Sequence, residues 1–476
     1  MRAFTIRCAV LFGLSGAASG LSAQTCSPHF EPVGSGLSGP VLSLTVGDLG
    51  SGRVLLVGGQ FGPSGVLASF DGAAWSALPA GLGGNAGDRV TALAVLDGEL
   101  LAGGYFSLNG GATAHAIARL DGAQWTSLTG DSSGFAEVRR LLVHDGTLLA
   151  CGQFSAILGT SVHKIATYNG QTWLSLPGGG TTTGTAINAM AYFDPDGDGP
   201  APSELIVAGE FTQIGAPAPT AANFIARWDG AAWHALGAGV NGPVNALAVF
   251  DEDGPGGAPA RLFVAGNFTT AGGATATRIA RWDGANWSQV GIGPFQGLAG
   301  GTRGALDLAV YDEDGPGPDR PVLYVGGDFT YAGGLQPARG VARWTGIAWN
   351  YIGPVSAPGV SGGYVTSLMP MDDALYIGGT FSSAGGQPAA NIARYRTCHH
   401  CLADVATAGS NAAGPDGFIT GEDFDLYIQA FFTGQRDGFG RLIADVATAG
   451  GAEPFSDGFL TGEDFDLFIM SFFTGC

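Results

Sequence analysis

The chain has 476 residues, 83 of them glycine, with 13% charged residues and a formal net charge of -20. That acidic balance leaves no basic surface to release counterions from phosphate, which excludes nucleic acid and an anionic membrane surface as partners. So heavy a glycine load is costly inside helices and suits short strands joined by tight turns, so an all-β domain working outside the cell is expected.

The first residues have the layout of an export signal. Arg2 and Arg7 form a positive segment, Ala9 to Leu21 an apolar stretch, and Leu21-Ser22-Ala23 a small-residue cleavage site. The apolar stretch is too short to span a bilayer and no later one is long enough, so no membrane insertion is expected. Residues 1–23 read as a signal peptide. The soluble chain then starts near Gln24 and is secreted, extracellular or associated with the cell surface.

Residues 24–397 read as one domain, dominated by self-similarity over residues 30–396. An apolar strand ends in two small residues, a variable residue and Phe, as in Gly58-Gly59-Gln60-Phe61 and Ala208-Gly209-Glu210-Phe211. The motif ends at Phe61, Phe106, Phe154, Phe211, Phe268, Phe329 and Phe381, seven copies spaced 45 to 61 residues apart. An alternating strand such as Val244 to Phe250 precedes it. Ile-Ala-Arg-Trp-Asp-Gly (Ile225 to Gly230) and a strand opened by Trp233 follow. Four short period-2 strands per unit, joined by Asp-Gly and Gly-rich turns, describe one blade of a propeller.

The seventh unit lacks its Trp strand after Tyr395, whereas His29 to Gly36 matches the missing piece. The predicted fold is therefore a seven-bladed β-propeller whose N-terminal strand closes the last blade. A solenoid would cap its ends instead of sharing one unit between them.

Five cysteines remain after signal removal. Cys151 replaces a small repeat residue and reads as a buried free thiol. Cys26 and Cys398 flank the two strands that should close the ring, so a disulfide between them would replace a hairpin. It would contribute about 4–5 kcal/mol in the chain-entropy model. Cys401 would then pair with Cys476. A Cys398–Cys401 bond, or a metal site made with His399 and His400, are the alternatives; secretion favours disulfides.

The small-Gly-x-Phe motif with its downstream Trp resembles kelch-type propellers, of the kind seen in the central domain of galactose oxidase. That resemblance implies the fold and no particular chemistry.

Residues 398–476 read as a separate module, in which residues 401–476 hold a tandem duplication. Ala403-Asp404-Val405 with Asp416-Gly417-Phe418-Ile419-Thr420-Gly421-Glu422-Asp423 returns as Ala444-Asp445-Val446 with Asp457-Gly458-Phe459-Leu460-Thr461-Gly462-Glu463-Asp464, and the chain ends Gly475-Cys476. Asp-Gly-x-apolar-Thr-x-x-Asp is the second half of an EF-hand-like loop, where a hard cation collects several oxygens. The arrangement resembles dockerins of the type that ends in Gly-Cys. The resemblance implies a small α-helical module with calcium held by Asp404, Asp416, Thr420 and Asp423 at one site. Asp445, Asp457, Thr461 and Asp464 would hold it at the other. It departs from dockerins in the eleven residues between Asp404 and Asp416, repeated between Asp445 and Asp457. Helix capping by Thr420 and Asp423 is the plainer reading of the same residues, and the two are compatible.

Within the repeats, Asp194, Asp196 and Asp198 are the best acidic turn for a further cation, against the plain expectation that Asp and Gly simply make turns. The acidic turns at 251–254 and 312–315 have the same two readings. The recurrent Arg119, Arg227, Arg281, Arg343 and Arg394, and the tryptophans that open the outer strands, are expected to be structural. No nucleophile elbow, phosphate loop or metal-spaced histidines stand out. The expected function is a non-catalytic display or binding protein with a carbohydrate or protein ligand, tethered by the C-terminal module to a cohesin-like or cell-surface protein. The alternative is a propeller enzyme acting on extracellular polysaccharide, its site in the irregular stretches 178–186 and 291–304.

Overall fold

The computed structural model describes residues 28–397, except 51, 63–64, 112–113, 131–136, 159, 182, 198, 201, 255–256, 293–294, 314–319 and 335. The signal peptide, Cys26, Cys398, Cys401, Cys476, the eight calcium ligands expected at Asp404 to Asp464, and Asp198 lie outside the described residues.

Alternation of apolar and small polar residues makes strands, and here it makes them in groups of four. Seven four-stranded antiparallel sheets are present among the described residues, each built from strands in chain order within one stretch of chain except the seventh. Their inner strands are Val41–Asp48, Arg89–Leu96, Glu137–His144, Ile187–Phe193, Val244–Phe250, Gly304–Tyr311 and Val365–Met371. Each inner strand packs against the next, and the seventh packs against the first, so the sheets form a closed, propeller-like ring around an axis.

The ring is closed by the N-terminal strand. His29–Pro32 pairs antiparallel with Ile392–Arg396 and supplies the outer strand of the seventh sheet. Phe30 takes the place that Trp holds in the other sheets: it is buried, with its ring 5.1 Å from that of Tyr395. Glu31 accepts hydrogen bonds from Arg394 and Arg396 at 2.6 and 3.0 Å.

The repeated motif has a steric cause. Its second position is Gly in every copy, because the strand there runs against a backbone carbonyl of the adjoining inner strand. A Cβ on Gly209 would stand 2.3 Å from the carbonyl oxygen of Ala186, and one on Gly152 2.0 Å from that of Glu137. The first position faces the next sheet. At Gly58 a Cβ would meet Val90 Cγ1 at 2.6 Å, while Ala208, Ala265 and Cys151 fit at the equivalent places and are fully buried. The seven phenylalanines that end the motif are all buried. Cys151 is a free thiol, and its burial pushes the pKa up to about 12.

Candidate functional site: the axial channel

The outer rim is occupied by structure. Trp75, Trp125, Trp173, Trp233, Trp287 and Trp349 each donate the indole N–H to a backbone carbonyl at the end of the preceding sheet. The acceptors are Val33, Pro79, Leu128, Gly179, Leu236 and Val290, at 2.7 to 3.2 Å. A buried indole N–H needs a partner, and here the partner belongs to the neighbouring blade. The recurrent arginines pair with carboxylates: Arg119 with Glu99, Arg227 with Glu204, Arg281 with Glu252, Arg343 with Glu313 and Arg394 with Glu31. Rings of the third strands, not guanidinium groups, face the outer aromatics, as between Trp228 and Trp233 with centroids 5.2 Å apart.

The acidic turns are built partly from their own backbone. Asp251 Oδ1 accepts from the amides of Asp253 and Gly254, and Asp194 Oδ1 from that of Asp196 at 3.2 Å. Glu252, in the middle of its turn, has a buried side chain that receives Arg261, Arg281 and the indole N–H of Trp344 from the next sheet at 2.7 Å. Among the described residues no three His, Cys, Asp or Glu side chains converge on one point as metal ligands would. The stretches 178–186 and 291–304 are the connections into the fourth and sixth sheets. Thr181 and Thr183 there bond the carbonyl of Gln213, and the amides of Thr302 and Arg303 bond Asp328 Oδ2.

The axis is where the sevenfold pattern breaks. Every inner strand carries a bulge at one equivalent residue: Leu42, Thr91, Arg139, Asn188, Asn245, Leu306 and Thr366. Such a bulge turns the extra side chain out of the ladder. Here it hands that side chain to the next sheet. Thr91 donates to the carbonyl of Val138, Asn188 to that of Val244 at 2.9 Å, Asn245 to that of Ala305 at 2.9 Å, and Thr366 to that of Val41. Arg139 reaches Asn188 and Glu210.

The residues just after the bulge are Ser43, Ala92, Arg140, Ala189, Ala246, Asp307 and Ser367. Five are small, and the two long ones meet. Arg140 Nη2, on the third sheet, donates to Asp307 Oδ1, on the sixth, at 2.8 Å. Asp307 Oδ2 accepts from the amide of Leu368 at 2.8 Å. Asp307 is 9% exposed at its side chain and Arg140 33%. The pair lines a cavity of about 220 Å³, whose wall takes the next residue of six inner strands: Leu44, Leu141, Met190, Leu247, Leu308 and Leu368. Sequence reasoning missed this pair. Its only trace is a column of small residues interrupted by one Arg and one Asp.

A family model described as "Domain of unknown function (DUF5122) beta-propeller" matches residues 96–122 and 372–397. Each match covers the second and third strands of one sheet, the second and the seventh. No curated protein matches the chain. Among solved structures, the computationally designed Ika8 protein is similar at TM-score 0.39 and 13% identity, over 76% of this chain and 98% of that one. The WD40 beta propeller domain of Doa1 is similar at TM-score 0.44 and 11% identity, over 78% of this chain and 97% of that one.

Proposed function

We propose that this protein is a secreted, kelch-like seven-bladed β-propeller that serves as a non-catalytic binding platform, tethered through a calcium-binding, dockerin-like module at residues 398–476. One observation carries the platform reading. The tryptophans that a sugar-binding rim or an active site would draw on are spent on bonds between neighbouring sheets, and the repeated arginines on carboxylate pairs. The pairing of His29 with Arg396 brings side by side the chain segments that lead to Cys26 and Cys398, which supports a disulfide sealing the ring.

The tether reading rests on the duplicated Asp-Gly-x-apolar-Thr-x-x-Asp loops. Asp404, Asp416, Thr420 and Asp423 supply the oxygens of one calcium site, and Asp445, Asp457, Thr461 and Asp464 those of the other. Its partner is a cohesin-like or cell-surface protein. The full-length secreted chain should bind calcium saturably in calorimetry, and should lose that binding when Asp423→Ala is combined with Asp464→Ala. No heat at millimolar calcium sinks the tether. The same preparation, incubated with soluble polysaccharides, should release no reducing ends; turnover would replace the platform with a polysaccharide-active enzyme.

A further inference from the structure

We propose that Asn169, in the outer hairpin turn of the third sheet, is a site of spontaneous deamidation, its side-chain amide exchanged for a carboxylate through a succinimide. Asn169-Gly170-Gln171-Thr172 joins Ile165–Tyr168 to Trp173–Ser175. The first, fourth and fifth sheets make the same turn with Asp, at Asp71-Gly72, Asp229-Gly230 and Asp283-Gly284. In each, the Asp Oδ1 accepts the amides two and three residues on, at 2.6 to 2.9 Å. Asn169 Oδ1 accepts those of Gln171 and Thr172 at 3.0 and 2.8 Å. The next glycine has φ of 97°, 94° and 98° in the three sister turns and 91° at Gly170. The turn is therefore shaped for a carboxylate, and the third sheet fills it with an amide. At Asp71 the amides of Ala74 and Ala73 hold the carboxyl below its ordinary range.

The same two amides favour the reaction. When the Gly170 nitrogen, having lost its proton, attacks Asn169 Cγ, negative charge develops on Oδ1, where two N–H groups already point. Glycine, without a Cβ, leaves that nitrogen open to approach. Among the described residues neither the Gly170 amide nor Asn169 Nδ2 makes a hydrogen bond, so nucleophile and leaving group are both untied. The bond from Gly170 N to Cγ forms, the bond from Cγ to Nδ2 breaks, and Nδ2 takes up a proton and leaves as ammonia. Water then opens the ring. Cleavage at Cγ gives Asp, and cleavage at the backbone carbonyl gives isoaspartate; in either case the Gly170 nitrogen regains its proton. In sum, amide and water become carboxylic acid and ammonia. Asn169 and Gly170 are both exposed, so water reaches them. The reaction needs this turn only, and stands whether or not the C-terminal residues bind calcium.

Two other Asn-Gly pairs, Asn109-Gly110 and Asn241-Gly242, serve as controls in the same chain. Asn109 Oδ1 accepts no amide among the described residues. Asn241 is tied to another segment at both ends: Oδ1 accepts the amides of Thr269 and Thr270, and Nδ2 donates to Thr269 Oγ1 at 2.8 Å. The full-length protein would be incubated in mildly alkaline buffer, folded or unfolded in guanidinium, and mapped by mass spectrometry, which reads the exchange of NH2 for OH at each site. In the folded chain Asn169 should react roughly tenfold or more faster than Asn109 and Asn241, as hydrogen bonds to a charged acceptor provide. In the unfolded chain the three should react at like rates. A folded chain in which Asn169 has no lead would overturn the proposal, as would a lead that survives unfolding. Asn169→Asp should unfold at the same denaturant midpoint as the parent, and a marked loss would show that the turn does not accept the product.

Discussion

Arg140 and Asp307 lie 167 residues apart in sequence and join at 2.8 Å across the axis, tying the third sheet to the sixth. The other side-chain bonds between blades among the described residues run from one sheet to its neighbour, as from Asn188 to Val244. Asp307 is buried and also holds the amide of Leu368 on the seventh sheet, so this one carboxylate ties three blades together.

Removing one partner of this pair should therefore cost more than removing both. Arg140→Met leaves the Asp307 carboxylate buried without its cation, at a cost of about 3 kcal/mol in denaturant unfolding. Arg140→Met with Asp307→Leu should recover part of that loss, since it removes both charges but leaves the amide of Leu368 without its acceptor. A double-mutant cycle in urea measures it, and a double change that costs the sum of the two single changes would show that the pair carries no coupling.

The tryptophan staples should act locally and alike. Trp173→Phe keeps most of the ring but strands the carbonyl of Leu128, which accepts the indole N–H at 2.9 Å. A loss of about 1–3 kcal/mol is expected for an unsatisfied buried acceptor. The same change at Trp233, whose acceptor is Gly179, should cost a similar amount. Thermal unfolding of both variants checks the equivalence; a large cost at only one site would mean that site has a separate role.

How much of this was legible in the sequence follows from what repeats. Seven copies of one steric solution, a glycine pressed against the neighbouring carbonyl and a buried Phe after it, leave a pattern that counting can find. The missing Trp strand after Tyr395 and its match at His29 to Gly36 likewise pointed to Phe30 closing the seventh sheet. The axial site is the opposite case. Arg140 and Asp307 are single departures in a column of alanines and serines, and only the closed ring brings those two positions together. The use of Glu252 was hidden for a related reason. Its turn reads as an acidic cluster, yet its carboxylate points at Arg281 and at Trp344 of another blade.

The motif glycine gives a sharp contrast between adjacent residues. Gly209→Ala forces a Cβ to within 2.3 Å of the Ala186 carbonyl oxygen, so the strand must shift. A cost above about 2 kcal/mol is expected, as for overpacked core positions. Ala208→Gly, next to it, loses one buried methyl and some chain stiffness, about 1–2 kcal/mol together. Chemical denaturation of both variants ranks them, and a benign Gly209→Ala would refute the steric account of the repeat.

Acid should loosen the closing strand first. Burial pushes the pKa of Glu31 up, but hydrogen bonds from Arg396 and His29 and the charge of Arg394 outweigh it and hold the carboxyl below its ordinary 4.5. A depressed folded pKa contributes stability that is present above the ordinary value and lost as pH falls through the folded one. Protection of Phe30 and Tyr395 against hydrogen exchange, relative to the intrinsic rate at each pH, should therefore fall below about pH 4.5 ahead of the other sheets. Glu31→Gln should lower that protection already at pH 7 and remove its dependence on pH.

Alkali should act through Cys151. Burial raises its thiol from an ordinary value of 9.0 to about 12. A raised folded pKa leaves stability intact below the unfolded value and erodes it as pH climbs between the two, here from 9.0 toward about 12. The equivalent positions in the next two sheets hold Ala208 and Ala265 without strain, so Cys151→Ala should fold normally. Its cost at pH 7 should be about 1 kcal/mol, from the lost sulfur packing. Above pH 9 the gap to the parent should close, because the alanine has no proton to lose. Buried Tyr311 and Tyr395, also raised to about 12, set the alkaline decline common to both proteins. Urea midpoints at pH 7, 9 and 10.5 separate the two contributions: parallel curves across that range would mean that the Cys151 thiol does not titrate on unfolding.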